Sequence, residues 1–223
     1  TTRMVKENNL VRVLRACETM GNATVVCSGE TGTLTQNKMT VVAGAWGSGK
    51  SFSQIPLDDD SGNPSMTASD VLKQCSAAMR NLIIRSIALN STAFEGERDE
   101  FVGSKTEVAM LQMAKDHLGM DLATERSSAE IVQLIPFDSS RKCMGVVYRE
   151  PAAGYRLLVK GAAELMADAC SARSVEDASG DRVVAQHLSD GERQKVLHTI
   201  DLYARRSLRT IGIVYRDFPS WPP

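Results

Sequence analysis

Cys27-Ser28-Gly29-Glu30-Thr31-Gly32-Thr33-Leu34-Thr35-Gln36-Asn37-Lys38-Met39 is the stretch on which the reading of the whole chain turns. Thr24, Val25 and Val26 lead into it, and their β-branched run predicts a buried strand over 24–28 that ends in a polar loop. Small hydroxyl and glycine residues let such a loop turn backbone N–H groups and hydroxyls outward, as phosphate binding requires.

The stretch resembles the signature of the P-type ATPases, Cys-Ser-Asp-Lys-Thr-Gly-Thr-Leu-Thr, with two departures. Gly29 stands where that family has the aspartate that accepts phosphate from ATP, and Glu30 stands where it has lysine. Upstream, Glu7-Asn8-Asn9-Leu10-Val11-Arg12 and Ala16-Cys17-Glu18-Thr19-Met20-Gly21-Asn22-Ala23-Thr24 are similar to the calcium pumps of plasma-membrane and vacuolar type. Further along, Gly103-Ser104-Lys105-Thr106-Glu107 resembles the family's Thr-Glu pair, and Pro136-Phe137-Asp138-Ser139-Ser140-Arg141-Lys142 its Phe-Ser-x-x-Arg-Lys pattern. Lys160-Gly161-Ala162-Ala163-Glu164 resembles Lys-Gly-Ala-Pro-Glu, with Ala163 in place of proline, and Ser207-Leu208-Arg209-Thr210 resembles a Leu-Arg element.

The resemblance implies a layout. Residues 1–40 would open the phosphorylation domain as an incomplete Rossmann-like piece, its remainder following after residue 223. Residues 41–217 would form the nucleotide-binding domain, and 218–223 a tail. The expected fold class is α+β, a largely antiparallel sheet of about seven strands flanked by helices.

Composition agrees with a globular chain. A hydrophobic fraction of 43% and a charged fraction of 24% are ordinary, and 26 basic against 27 acidic residues give a net charge of -1. That balance implies no general attraction to nucleic acid or anionic lipid. Five scattered cysteines without a C-x-x-C pair point to a reducing, cytosolic setting, and three distant histidines argue against a zinc site. The apolar run Leu82-Ile83-Ile84 is cut by Arg85, far short of the roughly 20 residues of a membrane span, and no signal peptide is visible. Direct membrane contact is therefore not expected; the resemblance implies a cytosolic domain of an integral membrane protein, partnered by phosphorylation, actuator and membrane domains.

Taken in order, a helix is expected over about 8–19, capped by Asn8 or Asn9 and ended by Gly21-Asn22. Lys38–Trp46 and Ser51–Ile55 read as a hairpin. Its turn contains Gly44-Ala45-Trp46-Gly47-Ser48-Gly49-Lys50-Ser51, which satisfies the P-loop pattern, yet an alternating segment and Pro56 follow where a P-loop needs a helix. Asp58–Pro64 reads as an acidic loop. A long helix is expected at Ser69–Asn90, short strands at Ala93–Phe94 and Glu100–Val102, and a helix over Lys105–Leu118 closed by Gly119. A meander follows over Ile131–Pro136, Lys142–Arg149 and Tyr155–Lys160, then a short helix Ala162–Ala169. Ser189-Asp190-Gly191-Glu192 is a capping box for a helix to about Arg206, and Leu208–Tyr215 closes as a strand.

A purine site needs a flat partner, an acceptor for the amino group and cations towards the phosphates. The resemblance implies ATP, with magnesium carried on the nucleotide only. Phe137 would stack on the base, a contact worth roughly 1–3 kcal/mol, although a Phe after Pro is ordinarily core. Glu107 would meet the adenine amino group; otherwise it is a helix N-terminal charge. Lys142, Lys160 and Gly161 would line the pocket, and Arg209 would reach the phosphates; surface lysines and a surface ion pair are the plain alternatives. Thr31 would contact phosphate, but Gly29 has no nucleophilic atom, so no aspartyl-phosphate is expected. Three readings follow: a nucleotide-binding module without turnover, a catalytically dead interaction or regulatory module, and an independent P-loop ATPase.

Overall fold

The computed structural model describes residues 2–8, 12–47, 49–55, 67–97 and 100–223; the acidic loop at 58–64 and Asn9 as a cap lie outside them. The chain divides into two compact units, Thr1–Lys38 and Met39–Pro223.

In the first unit α1 spans Thr2–Lys6 and α2 spans Leu14–Gly21. The helix expected from residue 8 begins later, because Asn8 adopts a left-handed φ of 61° that stops α-helix propagation. Asn22 closes α2 by donating its N–H to the Met20 carbonyl. The strand expected over 24–28 does not form: no strand occurs among the described residues of this unit, and Val25 and Val26 are 77% and 82% exposed. A strand's N–H and C=O groups need a neighbouring strand, and this unit supplies none. The Rossmann-like piece is thus reduced to two helices and a loop, whose Glu30–Leu34 turn is closed by the Thr35 N–H on the Glu30 carbonyl at 3.1 Å.

The second unit opens with the antiparallel hairpin β1 (Ala43–Trp46) and β2 (Lys50–Ser53), shorter than expected. Gly49 at φ 78° makes its turn, so the P-loop pattern is a hairpin, as its following residues indicated. Lys50 is committed elsewhere, donating to the Gln74 carbonyl at 2.8 Å and the Glu176 carboxylate at 2.9 Å. The single helix expected over 69–90 is two, α3 (Ala68–Lys73) and α4 (Ala77–Ala88). Ser76 causes the break, since its hydroxyl accepts from the Met79 N–H and starts a new helix. The apolar stripe survives it, with Val71, Leu72, Cys75 and Met79 all buried.

Next come β3 (Phe94–Glu95) paired with β4 (Phe101–Val102), then α5 (Lys105–Leu118), bounded as expected and closed by Gly119 at φ 70°. Helix α6 (Leu122–Ser127), absent from the sequence reading, is capped by Asp121. The meander is β5 (Ile131–Asp138), β6 (Cys143–Glu150) and β7 (Gly154–Ala162), and α7 (Ala163–Ala169) follows. A second unforeseen element is the hairpin β8 (Ala172–Glu176) and β9 (Val183–His187). Helix α8 (Asp190–Arg205) carries the full capping box of Ser189 and Glu192, and β10 (Ile211–Phe218) ends the fold.

The expected seven-stranded sheet is instead a four-stranded antiparallel sheet, ordered β10-β7-β6-β5, with three separate two-stranded hairpins among the described residues. Register pairs Met144 with Lys160, Val146 with Leu158 and Tyr148 with Arg156, which puts these six on one face. Leu89, at the end of α4, packs there on Val146, Tyr148 and Leu158. Val146 and Leu158 are wholly buried, a contribution of about 1.5–3 kcal/mol each. Met166 of α7 lies over Gly212 on the other face, where a Cβ would come within 2.6 Å of it.

Tyr148 is also wholly buried and donates its hydroxyl to Glu150 at 2.7 Å; burial, then that bond, push its pKa up to about 12. An unfolded chain would release this proton nearer 10. Between those values the unfolded state binds fewer protons, so stability must fall as pH rises. Tyrosinate absorbance should show a phenol titrating near pH 12, and Tyr148→Phe should remove it.

Candidate functional site

Strand order brings the sequence-predicted residues to one end of the four-stranded sheet. Phe137 lies at the end of β5, Lys142 just before β6, Lys160 and Gly161 near the end of β7, and Arg209 just before β10. In an antiparallel order β10-β7-β6-β5, those four strand ends share a side. The spread from β5 to β10 is three strand spacings, roughly 14 Å.

Phe137 is 63% exposed, so it is not the core residue that its position after Pro136 suggests. Its strand is irregular here: Ile135 pairs with Gly145 and Asp138 with Cys143, so Pro136 and Phe137 together oppose Met144. Pro136 lacks the N–H that a regular ladder requires, and such a bulge turns a side chain out of the sheet. Met144 in turn pairs with Lys160, two strands from Phe137, or about 10 Å.

Lys160 and Glu107 form a buried ion pair. Their relative exposures are 7% and 5%, and Nζ lies 2.7 Å from Oε1. Glu107 sits in the first turn of α5, where a negative charge also complements the helix dipole. Its carboxylate further accepts from the Thr92 N–H at 3.3 Å, the Thr92 hydroxyl at 2.9 Å and the Ala93 N–H at 3.2 Å. Burial alone would raise the Glu107 pKa, but the Lys160 bond and charge and the Thr92 bonds outweigh it and hold the acid below its ordinary range. Burial lowers the Lys160 pKa, an effect that Glu107 only partly offsets. Arg126 of α6 secures the same loop from its carbonyl side, donating to Ala88 at 3.1 Å, Ser91 at 2.6 Å and Ala93 at 2.8 Å. Thr92 and Arg126 were missed by sequence reasoning; the Ser91-Thr92 pair after a helix was the available signal, and nothing local marked Arg126.

The turn between β5 and β6 is organised by Asp138. Its carboxylate accepts from the Ser140 N–H at 2.8 Å, the Ser140 hydroxyl, and the Arg141 N–H at 3.0 Å, bonds that hold the acid below its usual range. The Lys142 N–H returns to the Asp138 carbonyl at 2.7 Å, with Lys142 in the left-handed region at φ 53°. Gly161 lies against this turn so closely that a Cβ would meet the Lys142 carbonyl at 2.5 Å, and the Ala162 N–H donates to that carbonyl at 3.1 Å. Glycine at 161 is therefore a requirement of close approach. Arg209 is exposed, in a connection where Ser207 takes φ 57°. Gly29 and Thr31 belong to the other unit, in and beside the Glu30–Leu34 turn.

A model of the family described as P-type ATPase, cytoplasmic domain N, matches residues 71–223. The chain belongs to that family. "Calcium-transporting ATPase 2" of Cryptococcus neoformans var. grubii is 44% identical, covering 100% of this chain and 17% of that protein. "Calcium-transporting ATPase 2" of Schizosaccharomyces pombe is 43% identical, covering 100% of the chain and 18% of its own length. The human "Plasma membrane calcium-transporting ATPase 4" is 38% identical over 98% of the chain and 17% of its own length. The chain thus spans under a fifth of each of these relatives. No helix among the described residues is long and apolar enough to cross a membrane.

Three outcomes test this geometry in the N domain. Glu107→Ala strands a buried ammonium and should cost about 3–5 kcal/mol in urea unfolding. In the parent chain, the stabilisation from Glu107 should be present above about pH 4.5 and be lost as pH falls through its lower folded value. Lys142→Gly relieves a left-handed φ and should hold or raise stability by up to about 1 kcal/mol, because the turn's other bonds stay in place.

Proposed function

We propose that the chain is the nucleotide-binding part of a calcium-transporting P-type pump, and that it binds ATP without turning it over. The observation that carries this reading is the gathering of an exposed phenyl ring, a buried lysine with donors to spare, and two further cations along one sheet end. An extended nucleoside triphosphate has the matching order, flat base at one end and anions at the other. Phe137 stacks on the base, Lys142, Lys160 with Glu107 behind it and Gly161 line the middle, and Arg209 faces the phosphates. Magnesium arrives on the nucleotide, and no group of three or more His, Cys, Asp or Glu able to hold a metal occurs among the described residues.

Transfer of the γ-phosphate would need a nucleophile, and Gly29 offers none, while Glu30 adds negative charge to an anionic reaction. Thr31 keeps a hydroxyl and carbonyl for phosphate. The remaining domains of the pump are the proposed partners, and the cytosolic face of a plasma or vacuolar membrane the proposed location. Names of the relatives, which are calcium-transporting, support the choice of ion.

The domain should bind ATP weakly, with Kd on the order of 10⁻⁴ to 10⁻³ M. An ATP titration followed by backbone NMR should shift signals near Phe137 and Lys160, and Phe137→Ala should weaken binding by about tenfold. Absence of any shift would favour a regulatory or interaction module instead. Radiolabelled ATP should leave no acid-stable label.

A further inference from the structure

Helix α8 closes with a backbone arrangement that ordinarily belongs to glycine. The Leu208 N–H donates to the Tyr203 carbonyl at 3.1 Å and the Ser207 N–H to the Ala204 carbonyl at 2.9 Å, with Ser207 in the left-handed region at φ 57°. Gly119 closes α5 at φ 70° without a Cβ to strain; Ser207 carries one. Its hydroxyl gives nothing back to the fold. Ser207 is exposed and its side chain makes no hydrogen bond among the described residues, whereas the hydroxyls of Thr67, Ser76 and Ser189 each cap a helix start.

The flanking residues supply a second, independent pattern. Arg205-Arg206-Ser207-Leu208-Arg209 sets three guanidiniums within two residues of that hydroxyl, and the five residues include no acid. Arg205 shares an exposed ion pair with Asp201 at 2.8 Å, and Arg209 makes no hydrogen bond or ion pair among the described residues. A kinase with an acidic substrate groove selects arginines on both sides of its acceptor. The last turn of a helix frays readily, and a strained closing residue makes drawing it out easier.

We propose that Ser207 is a phosphoryl acceptor whose phosphate engages the Arg209 guanidinium and so withdraws it from the nucleotide; the second half rests on the nucleotide reading above. In the transfer, Ser207 Oγ attacks the γ-phosphorus of ATP held by the kinase. The O–P bond forms as the bond to ADP breaks, and the hydroxyl proton passes to a base of the kinase. The product carries a charge of about −1.5 to −2 and three acceptor oxygens. Two residues of chain span at most about 7 Å, which a guanidinium side chain bridges to make a bidentate pair. The helix dipole opposes an anion at this end of α8, and the three arginines offset it. A cation facing the nucleotide's phosphates is thus replaced by a neutralised pair and excess negative charge.

The test begins with the whole chain, ATP, magnesium and the catalytic domain of an arginine-directed serine kinase, followed by mass spectrometry of a digest. Phosphate is expected on Ser207. Ser207→Gly, which relieves the left-handed strain and keeps the chain folded, should lose it. Phosphate absent from Ser207, or present on Thr210 alone, overturns the inference. Phosphoserine inserted at 207 during translation then isolates the consequence: ATP titrated by NMR should bind the modified chain at least about tenfold more weakly than the unmodified one. Affinities equal within about twofold overturn the inference and leave the nucleotide reading standing. An unmodified chain that takes phosphate at Ser207 yet binds no ATP overturns the nucleotide reading, and the inference with it.

Discussion

A buried ammonium must have a counter-charge, and the Lys160–Glu107 pair is where the second unit meets that demand. Two ions 2.7 Å apart in a site this dry cannot be exchanged for water contacts without a large desolvation imbalance. Each end of the pair therefore fixes what carries it. Glu107 anchors the start of α5 and the N–H groups of loop 88–93; Lys160 anchors β7, the strand between β6 and β10. Arg126 completes the clamp from α6 by taking the loop's carbonyls, including that of Ala88, the last residue of α4. Three helices and the sheet thus share one polar junction, while apolar contacts such as Leu89 on Val146 and Leu158 surround it.

The sheet end beside this junction is shaped by backbone demands more than by side-chain chemistry. Pro136 interrupts the β5 ladder and so releases Phe137 outward; Asp138 gathers the next N–H groups and turns the chain back; Gly161 lets β7 pass against that turn. Neither Pro136 nor Asp138 touches a ligand in the proposed scheme, and Gly161 lines the site only with its backbone. They decide where Phe137, Lys142 and Lys160 stand. A motif such as Phe-Asp-Ser-Ser-Arg-Lys is in this light mostly a turn specification, with two of its residues left over for the proposed binding.

The first unit poses the contrast. Its loop from Cys27 to Thr35 keeps the glycine and hydroxyl residues of a phosphate loop and adopts a compact turn with Gly32 at φ 76°, yet no strand supports it among the described residues. A loop of this kind depends on a sheet to aim it. Position 29 is glycine and offers no side-chain atom to accept phosphate, which is why binding and turnover are separated in the proposed function.

Read alone, the sequence determined the features that local chemistry settles. The α5 helix with its Gly119 cap, the Ser189 capping box, the three-strand meander and the rejection of the P-loop pattern at 44–51 all rest on caps, turns and periodicity within a few residues. The motif positions of the candidate site came from their resemblance to the family's motifs and not from local chemistry. Only tertiary structure decided that Ser76 would end one helix and start another, that the strand signal of Thr24, Val25 and Val26 would go unpaired, and that Glu107 would spend its acceptors on Lys160, 53 residues away. Pairing across such a distance is set by strand register and by which loop reaches which helix. Those are consequences of packing the whole chain at once, and no window of sequence carries them.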